Sequence, residues 1–341
     1  MNLQKAESIM EGTATVVKHT GSHYLLAQLP SWRLFPAVLR GKVRLGGSSA
    51  TNPVAVGDRV EFHADGDLLP DGSVPASETA PAAITRILPR RNYIIRKSVN
   101  LSRQAHIIAA NVDHAFIVVT LAFPEVKLPF IDRLLVTCEV YGVKPVIVLN
   151  KIDIVDEFRD DFAPALENFH WIYEGAGYSI LEVSAKTGRG VDELRRLCIE
   201  KSEDGAPGIS LFSGVSGVGK SSLIKAMDPS LNPKTGLISE AHLQGRHTTT
   251  FYEMYPLCGG EGCIIDTPGI RGFGLVDLEP EEISLYFPEM LKAASDCRFT
   301  PCTHTHEPVC AVKAAVDEGT ISRERYASYL GMLEEYTKYR K

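Results

Sequence analysis

The chain has 341 residues, enough for two or three domains, and its 44% of hydrophobic residues is ordinary for a soluble globular protein. A formal net charge of -6 excludes a global basic field. The roughly 18 consecutive apolar residues of a membrane span are missing, and the opening MNLQKAESIMEGTATVV lacks the basic-then-apolar pattern of a secretory signal, so a cytoplasmic protein without membrane contact is expected. The charge is uneven all the same: Arg33, Arg40, Lys42, Arg44, Arg59, Arg86, Arg90, Arg91, Arg96, Lys97 and Arg103 crowd the first third, while Asp277, Glu279, Glu281 and Glu282 gather later.

In chain order, GTATVVKHTGSHYLLAQL reads as a β-rich run broken at Thr20-Gly21-Ser22. FPAVLRGKVRL, PVAVGDRVEFHAD and AAITRILPR continue it, the pattern of a small barrel. Asp65 to Pro81, rich in Gly, Pro, Asp and Ser, reads as a long mobile loop. From about Asn111 apolar strands alternate with helices. DHAFIVVTLA, KPVIVLNKID, ILEVSAKTG, GISLF and EGCIIDTPG are the strands; PFIDRLLVTCEVYG, VDELRRLCIEK and the segment after GVSGVGKS are helices. That texture predicts a parallel sheet covered on both faces. Beyond about Gly274 strands disappear. LEPEEISLYFPEMLKAA reads as one helix with Glu in its first turn, a Cys/His cluster follows, and ISRERYASYLGMLEEYTKYRK reads as an amphipathic charged helix.

Gly214-Val215-Ser216-Gly217-Val218-Gly219-Lys220-Ser221 fits the phosphate-loop pattern, between an apolar strand and a helix that Ser222 continues. Its glycines let backbone N–H groups turn inward around phosphates, Lys220 supplies a positive charge, and Ser221 can ligate Mg²⁺. Asp266-Thr267-Pro268-Gly269 closes another strand, where Asp266 can hold a Mg²⁺-bound water and Gly269 can sense a γ-phosphate. Asn150-Lys151-Ile152-Asp153 ends a third strand. The Asp153 carboxylate can accept two hydrogen bonds from guanine, a pair that adenine does not offer. Asn150 can tie neighbouring loops together and meet the purine edge, the stem of Lys151 can cover the base, and the Ala185 N–H of Ser184-Ala185-Lys186 can meet the guanine oxygen. Ligands in such sheets bind at the carboxyl ends of strands, where these motifs lie.

These motifs resemble those of the TRAFAC-type GTPases, but here the base-reading NKID and SAK precede GVSGVGKS, GRHTTT and DTPG, the order of circularly permuted members. RGKVRL, VAVGDRVEF, ILPRRN, QAHIIAANVD and DTPGIRGFGL extend the likeness over nearly the whole chain, to the ribosome small subunit-dependent GTPase A (RsgA, or YjeQ) family. The resemblance implies an OB-fold RNA-binding domain over 1–92, a circularly permuted GTPase domain over 93–275 and a helical zinc-binding domain over 276–341. It implies binding to the small ribosomal subunit and its 16S rRNA late in assembly, with GTP hydrolysis to GDP stimulated by that subunit. A monomer is expected. A second class of function, a nucleotide-sensing RNA or protein adaptor with slow hydrolysis, fits the same motifs.

Two chemical details qualify the resemblance. The position after DTPG, where Ras-like enzymes carry a water-orienting Gln, is Ile270, which cannot hydrogen-bond. Gly245-Arg246-His247-Thr248-Thr249-Thr250 is the expected first switch, with Thr249 or Thr250 reaching Mg²⁺ and His247 the candidate to orient water. Cys297, Cys302, His304 and Cys310, spaced C-x₄-C-x-H-x₅-C, suit a closed tetrahedral Zn²⁺ site, and the family assigns the same four; on spacing alone His306 is an alternative to His304.

Overall fold

Gly21, with φ of +67°, turns the chain between its first two strands, a conformation that a residue without Cβ adopts freely. The computed structural model describes residues 8–40, 53–97, 105–231, 253–266 and 278–339. In chain order its elements are β1 (Ile9–Thr20), β2 (His23–Gln28), β3 (Arg33–Leu39), β4 (Arg59–Asp65), β5 (Ala82–Ile87), β6 (Tyr93–Lys97), β7 (Ala105–Ala110) and β8 (His114–Val119). Then come α1 (Leu128–Tyr141), β9 (Lys144–Leu149), α2 (Ile152–Glu157), α3 (Arg159–Gly175), β10 (Ile180–Glu182), α4 (Val191–Cys198), β11 (Gly208–Ser213) and α5 (Lys220–Met227). The described remainder holds β12 (Glu253–Leu257), β13 (Gly262–Asp266), α6 (Pro288–Ala294), α7 (Ala311–Asp317) and α8 (Arg323–Tyr339).

The chain divides into two compact units, one of 1–114, 196–211 and 230–268, the other of 115–195, 212–229 and 269–341. In the first, β1-β2-β3-β5-β4 form a ribbon whose last strand pairs back on β1, closing a five-stranded barrel of the OB type. Its interior is Val16, Leu26, Phe35, Val60, Phe62 and Ile84, all buried. The loop expected to be mobile is anchored: Val74 is buried in the barrel core, and Arg33 donates to the Gly72 carbonyl at 2.8 Å. β12 pairs with β13 and, at Lys18 and Glu253, with β1, where a 2.9 Å ion pair joins the strands. The β6–β7 hairpin and β12 are strands that the sequence pattern did not disclose.

Most of the first unit's described arginines already have partners. Arg90 grips the buried Asp58 with two hydrogen bonds, at 2.6 and 2.7 Å, and Arg91 holds Asp113 at 2.8 Å. Arg59 pairs with Asp204 and Arg86 with Glu61. Lys42, Arg44 and Arg103 lie outside the described residues.

In the second unit the sheet order is β10-β9-β8, and β10 runs parallel to β9. β8 and β11 are buried at every position, as continuous apolar strands covered on both faces should be. α1 packs on β9 and also on α8. The segment predicted as one helix is two: a 3₁₀ turn over Pro280–Tyr286, then α6. Pro288 excludes helical backbone from Phe287, which is extended at φ −110°, ψ 99°. The Glu279 and Glu282 side chains form a capping box that starts the turn.

The C-terminal helices surround Ile283, Phe287, Met290, Val312, Ile321, Tyr329 and Met332, with Val136 of α1 in the same cluster. One fully buried guanidinium fastens them to α1. Arg325 reaches Asp132 at 2.9 Å and Glu289 at 2.8 Å, with its charge 4.6 Å above the Phe287 ring. Burial pushes the Asp132 carboxyl up from its ordinary range, against the pull of Arg325. Replacing Arg325 with Met should destabilise the protein by about 3–5 kcal/mol, because two buried carboxylates lose their countercharge. In urea unfolding of R325M the deficit should shrink as pH falls, since a protonated Asp132 no longer needs a partner; a deficit independent of pH would contradict this account.

Candidate functional site

Three strand ends of the second unit deliver the motifs: β9 leads into Asn150, β10 into Ser184, and β11 into Gly214. The phosphate loop is drawn tight by its glycines. Gly214 has φ of +152°, and a Cβ there would stand 2.3 Å from the Val118 carbonyl oxygen. Gly219, at φ +95°, precedes α5, and a Cβ there would stand 2.4 Å from the Asn150 amide nitrogen. Larger residues at these positions would push the loop off β8 and Asn150.

Asn150 is 3% exposed and joins three loops. Its backbone N–H bonds the Val119 carbonyl at 2.8 Å, its side-chain amide donates to the Val218 carbonyl at 2.7 Å, and its side-chain oxygen accepts from the Ala185 N–H at 3.3 Å. Thus Asn150, expected to tie neighbouring loops together, acts here as that clamp, and the Ala185 N–H is turned to it. Lys151 takes left-handed backbone at φ +63° and sends its ammonium to the carbonyls of Phe123 and of Gly217, the latter at 2.7 Å. Ile152 is buried and starts α2. Asp153 accepts from the Ser184 hydroxyl at 2.7 Å and faces Lys186 at 3.6 Å. Ser184 is fully buried and also receives the Thr187 N–H, at 3.1 Å. The serine therefore fixes one carboxylate oxygen and the lysine balances the charge, which leaves an oriented acceptor at the strand ends.

Lys220 bonds the carbonyls of Gly214 and Val215 at 2.7 and 2.9 Å, folded across its own loop. Ser216, Gly217 and Ser222 are exposed, Val218 is buried, and Val215, Gly219 and Ser221 are half-buried. Asp266 ends β13 in the first unit; its side chain, together with His247, Thr249 and 267–269, lies outside the described residues.

The metal-ligating candidates converge. The Cys297, Cys302 and Cys310 sulfurs and a His304 ring nitrogen lie within 4.8 Å of one another. His304 Nδ1 is 3.4 Å from Cys310 Sγ and 3.7 Å from Cys297 Sγ, and those two sulfurs are 3.9 Å apart. Thiolates bound tetrahedrally at a Zn–S distance of about 2.3 Å stand roughly 3.8 Å apart, so the donor set fits zinc. Burial pushes the Cys302 thiol up to about 12, with the neighbouring thiols adding to it, so this thiol resists ionising until a cation enters. Burial also lowers the His304 pKa and so favours the neutral, ligating imidazole. The alternative, His306, is exposed and bonds the Thr305 hydroxyl at 2.9 Å, apart from this cluster.

Sequence reading missed what holds the metal loop. Tyr326 and Tyr329 of α8 donate to the carbonyls of His304 and Thr303, each at 2.6 Å. Glu307 accepts from Thr303 N and Oγ1 and from Thr305 N at 2.6–3.0 Å. Against its desolvation, these bonds hold the Glu307 carboxyl at about 2. The available signal was two tyrosines three apart, which share one helix face.

The profile of the RsgA GTPase family matches residues 87–276. Two relatives, each described as small ribosomal subunit biogenesis GTPase RsgA, are 46% identical to this chain. The Flavobacterium johnsoniae protein aligns over 322 residues, 94% of this chain and 93% of its own; that of Bacteroides fragilis aligns over 327, 95% and 98%. Among solved structures, YjeQ from Thermotoga maritima matches with a TM-score of 0.70 at 33% identity, over 96% of this chain and 98% of that one. YloQ, described as a circularly permuted GTPase, matches with a TM-score of 0.68 at 25% identity, over 100% and 99%.

Two outcomes test the metal centre by zinc titration and metal analysis. His304→Ala should lose bound zinc while His306→Ala keeps it, and zinc affinity should fall as pH falls, because protons compete for the thiolates. Zinc retained by H304A and lost by H306A would reverse the assignment.

Proposed function

This chain belongs to the RsgA GTPase family, and from that premise we propose that it binds GTP and GDP at the strand ends of its second unit and works in maturation of the small ribosomal subunit. It is a GTP hydrolase with the circularly permuted motif order. The observation that carries the nucleotide reading is the Asn150 clamp, which gathers NKID, SAK and the phosphate loop around one buried amide. In this reading Asp153 accepts from guanine, Lys151 lines the base, and Ala185 N–H meets the guanine oxygen after leaving Asn150. Lys220 leaves its two carbonyls for the phosphates, a local exchange of hydrogen bonds. Ser221, Thr249 and Asp266 would hold Mg²⁺, which would neutralise charge between the β- and γ-phosphates. With Ile270 where a Gln would stand, His247 is the residue proposed to orient water.

The four ligands Cys297, Cys302, His304 and Cys310 would close a structural zinc site, leaving no open position for catalysis. We extend the reading to a three-part division at 1–92, 93–275 and 276–341, and to a cytoplasmic monomer whose barrel contacts 16S rRNA. The relatives' description as biogenesis factors of the small subunit supports this partner.

GTP turnover measured with and without purified small subunits tests the whole reading. Strong stimulation is expected, and indifference would favour the slow-hydrolysing adaptor instead. His247→Ala should lower kcat by 10²-fold or more, on the order of a lost general-base contribution, with GTP affinity unchanged; equal turnover would remove His247 from the mechanism.

A further inference from the structure

Phe123 is a large apolar residue placed against two of the fold's ordinary preferences. It is 71% exposed, the highest value among the described large hydrophobic residues, and its φ of +52° lies in the left-handed region that bulky side chains avoid. A glycine or asparagine would occupy this backbone more easily, and the fold gains little from a ring left in water. Strain of this kind persists where the surroundings enforce it, and it concentrates at ligand sites.

The surroundings do enforce it. The Lys151 ammonium bonds the Phe123 carbonyl and, at 2.7 Å, the Gly217 carbonyl, so one charge ties this residue to the phosphate loop. Pro124 lies against the same glycine: a Cβ on Gly217 would stand 3.4 Å from its ring. On the other side the Thr120 hydroxyl bonds the Pro124 carbonyl, and buried Val126 bonds back to Thr120 at 3.1 Å. The loop is therefore a built structure at the rim where the phosphate loop and Lys151 meet. Its exposed apolar group is the Phe123 ring, beside the exposed carboxylate of Glu125.

We propose that Phe123 is a nucleotide-positioning residue whose ring closes over the ribose and guanine of bound GDP or GTP as an apolar cover. The inference rests on the guanine-nucleotide reading above. Lys151 supplies one wall of the cleft with its aliphatic stem, and Phe123, fixed to the end of that lysine, supplies the next. The ring meets the sugar and base, which GDP and GTP share, so it contributes equally to both complexes. It acts on the lifetime of the complex, with no part in the hydrolytic step.

Calorimetric titration of GDP and of a non-hydrolysable GTP analogue into Phe123→Gly, Phe123→Leu and the parent chain tests this. F123G should weaken both nucleotides about tenfold, the effect of losing on the order of 60 Å² of buried apolar surface. F123L should restore most of the affinity. In turnover assays F123G should raise KM for GTP and leave kcat unchanged. The thermal midpoint of nucleotide-free F123G should equal or exceed the parent's, because glycine relieves the backbone, so lost affinity cannot be ascribed to unfolding. Affinities within twofold of the parent would overturn the proposal. So would unchanged affinity with lost stimulation by small subunits, which would place the ring against that partner. A parent chain that itself fails to bind GDP would instead overturn the nucleotide reading.

Discussion

The second unit depends on one buried amide. Asn150 has a donor and an acceptor on its side chain, and both are used, toward Val218 and Ala185. An isosteric aspartate lacks the donor, and leucine would strand two buried backbone groups. The three loops that meet at Asn150 come from positions 119, 185 and 218, far apart in the chain. A circular change of motif order therefore costs the site nothing, since the clamp is indifferent to which loop is synthesised first. What it requires is strand ends brought together, and the sheet order supplies that.

The C-terminal helices follow the same logic with charge in place of an amide. Arg325 anchors α8 through Asp132 to α1 and through Glu289 to α6, and Tyr326 and Tyr329 of the same helix hold the carbonyls of the cysteine loop. Metal loop, tail helix and α1 thus form one continuous run of contacts. A buried ion pair adds little net stability over apolar packing, but it penalises every arrangement in which Arg325 is misplaced, so it defines a position.

Much of this was legible in the sequence, for identifiable reasons. NKID, SAK, the phosphate loop and the cysteine cluster are legible because their chemistry demands particular residues at fixed spacings, and the structure brings each group together. Strand β12 was not legible, since EMYPL carries a proline and little alternation; its place comes from pairing with β13 and β1. The β6–β7 pair is similarly fixed by its mutual pairing. The split at Phe287 is readable from Pro288, against the apolar spacing around it. Nothing local in the sequence marks Asp132 for burial; only its partner, 193 positions away in sequence, makes that burial intelligible. For the switch residues His247 and Thr249 the sequence remains the whole basis of their roles.

The pairing of the first unit's arginines has a consequence for how that unit can meet a polyanion. A free arginine that binds phosphate releases a condensed counterion, and that release makes affinity fall steeply with salt. Arg59 and Arg86 are already neutralised by Asp204 and Glu61, and Arg90 and Arg91 by Asp58 and Asp113. For these side chains, gaining a phosphate means losing a carboxylate. At these four described side chains, therefore, an exchange of anions would yield geometry and selectivity with little counterion entropy.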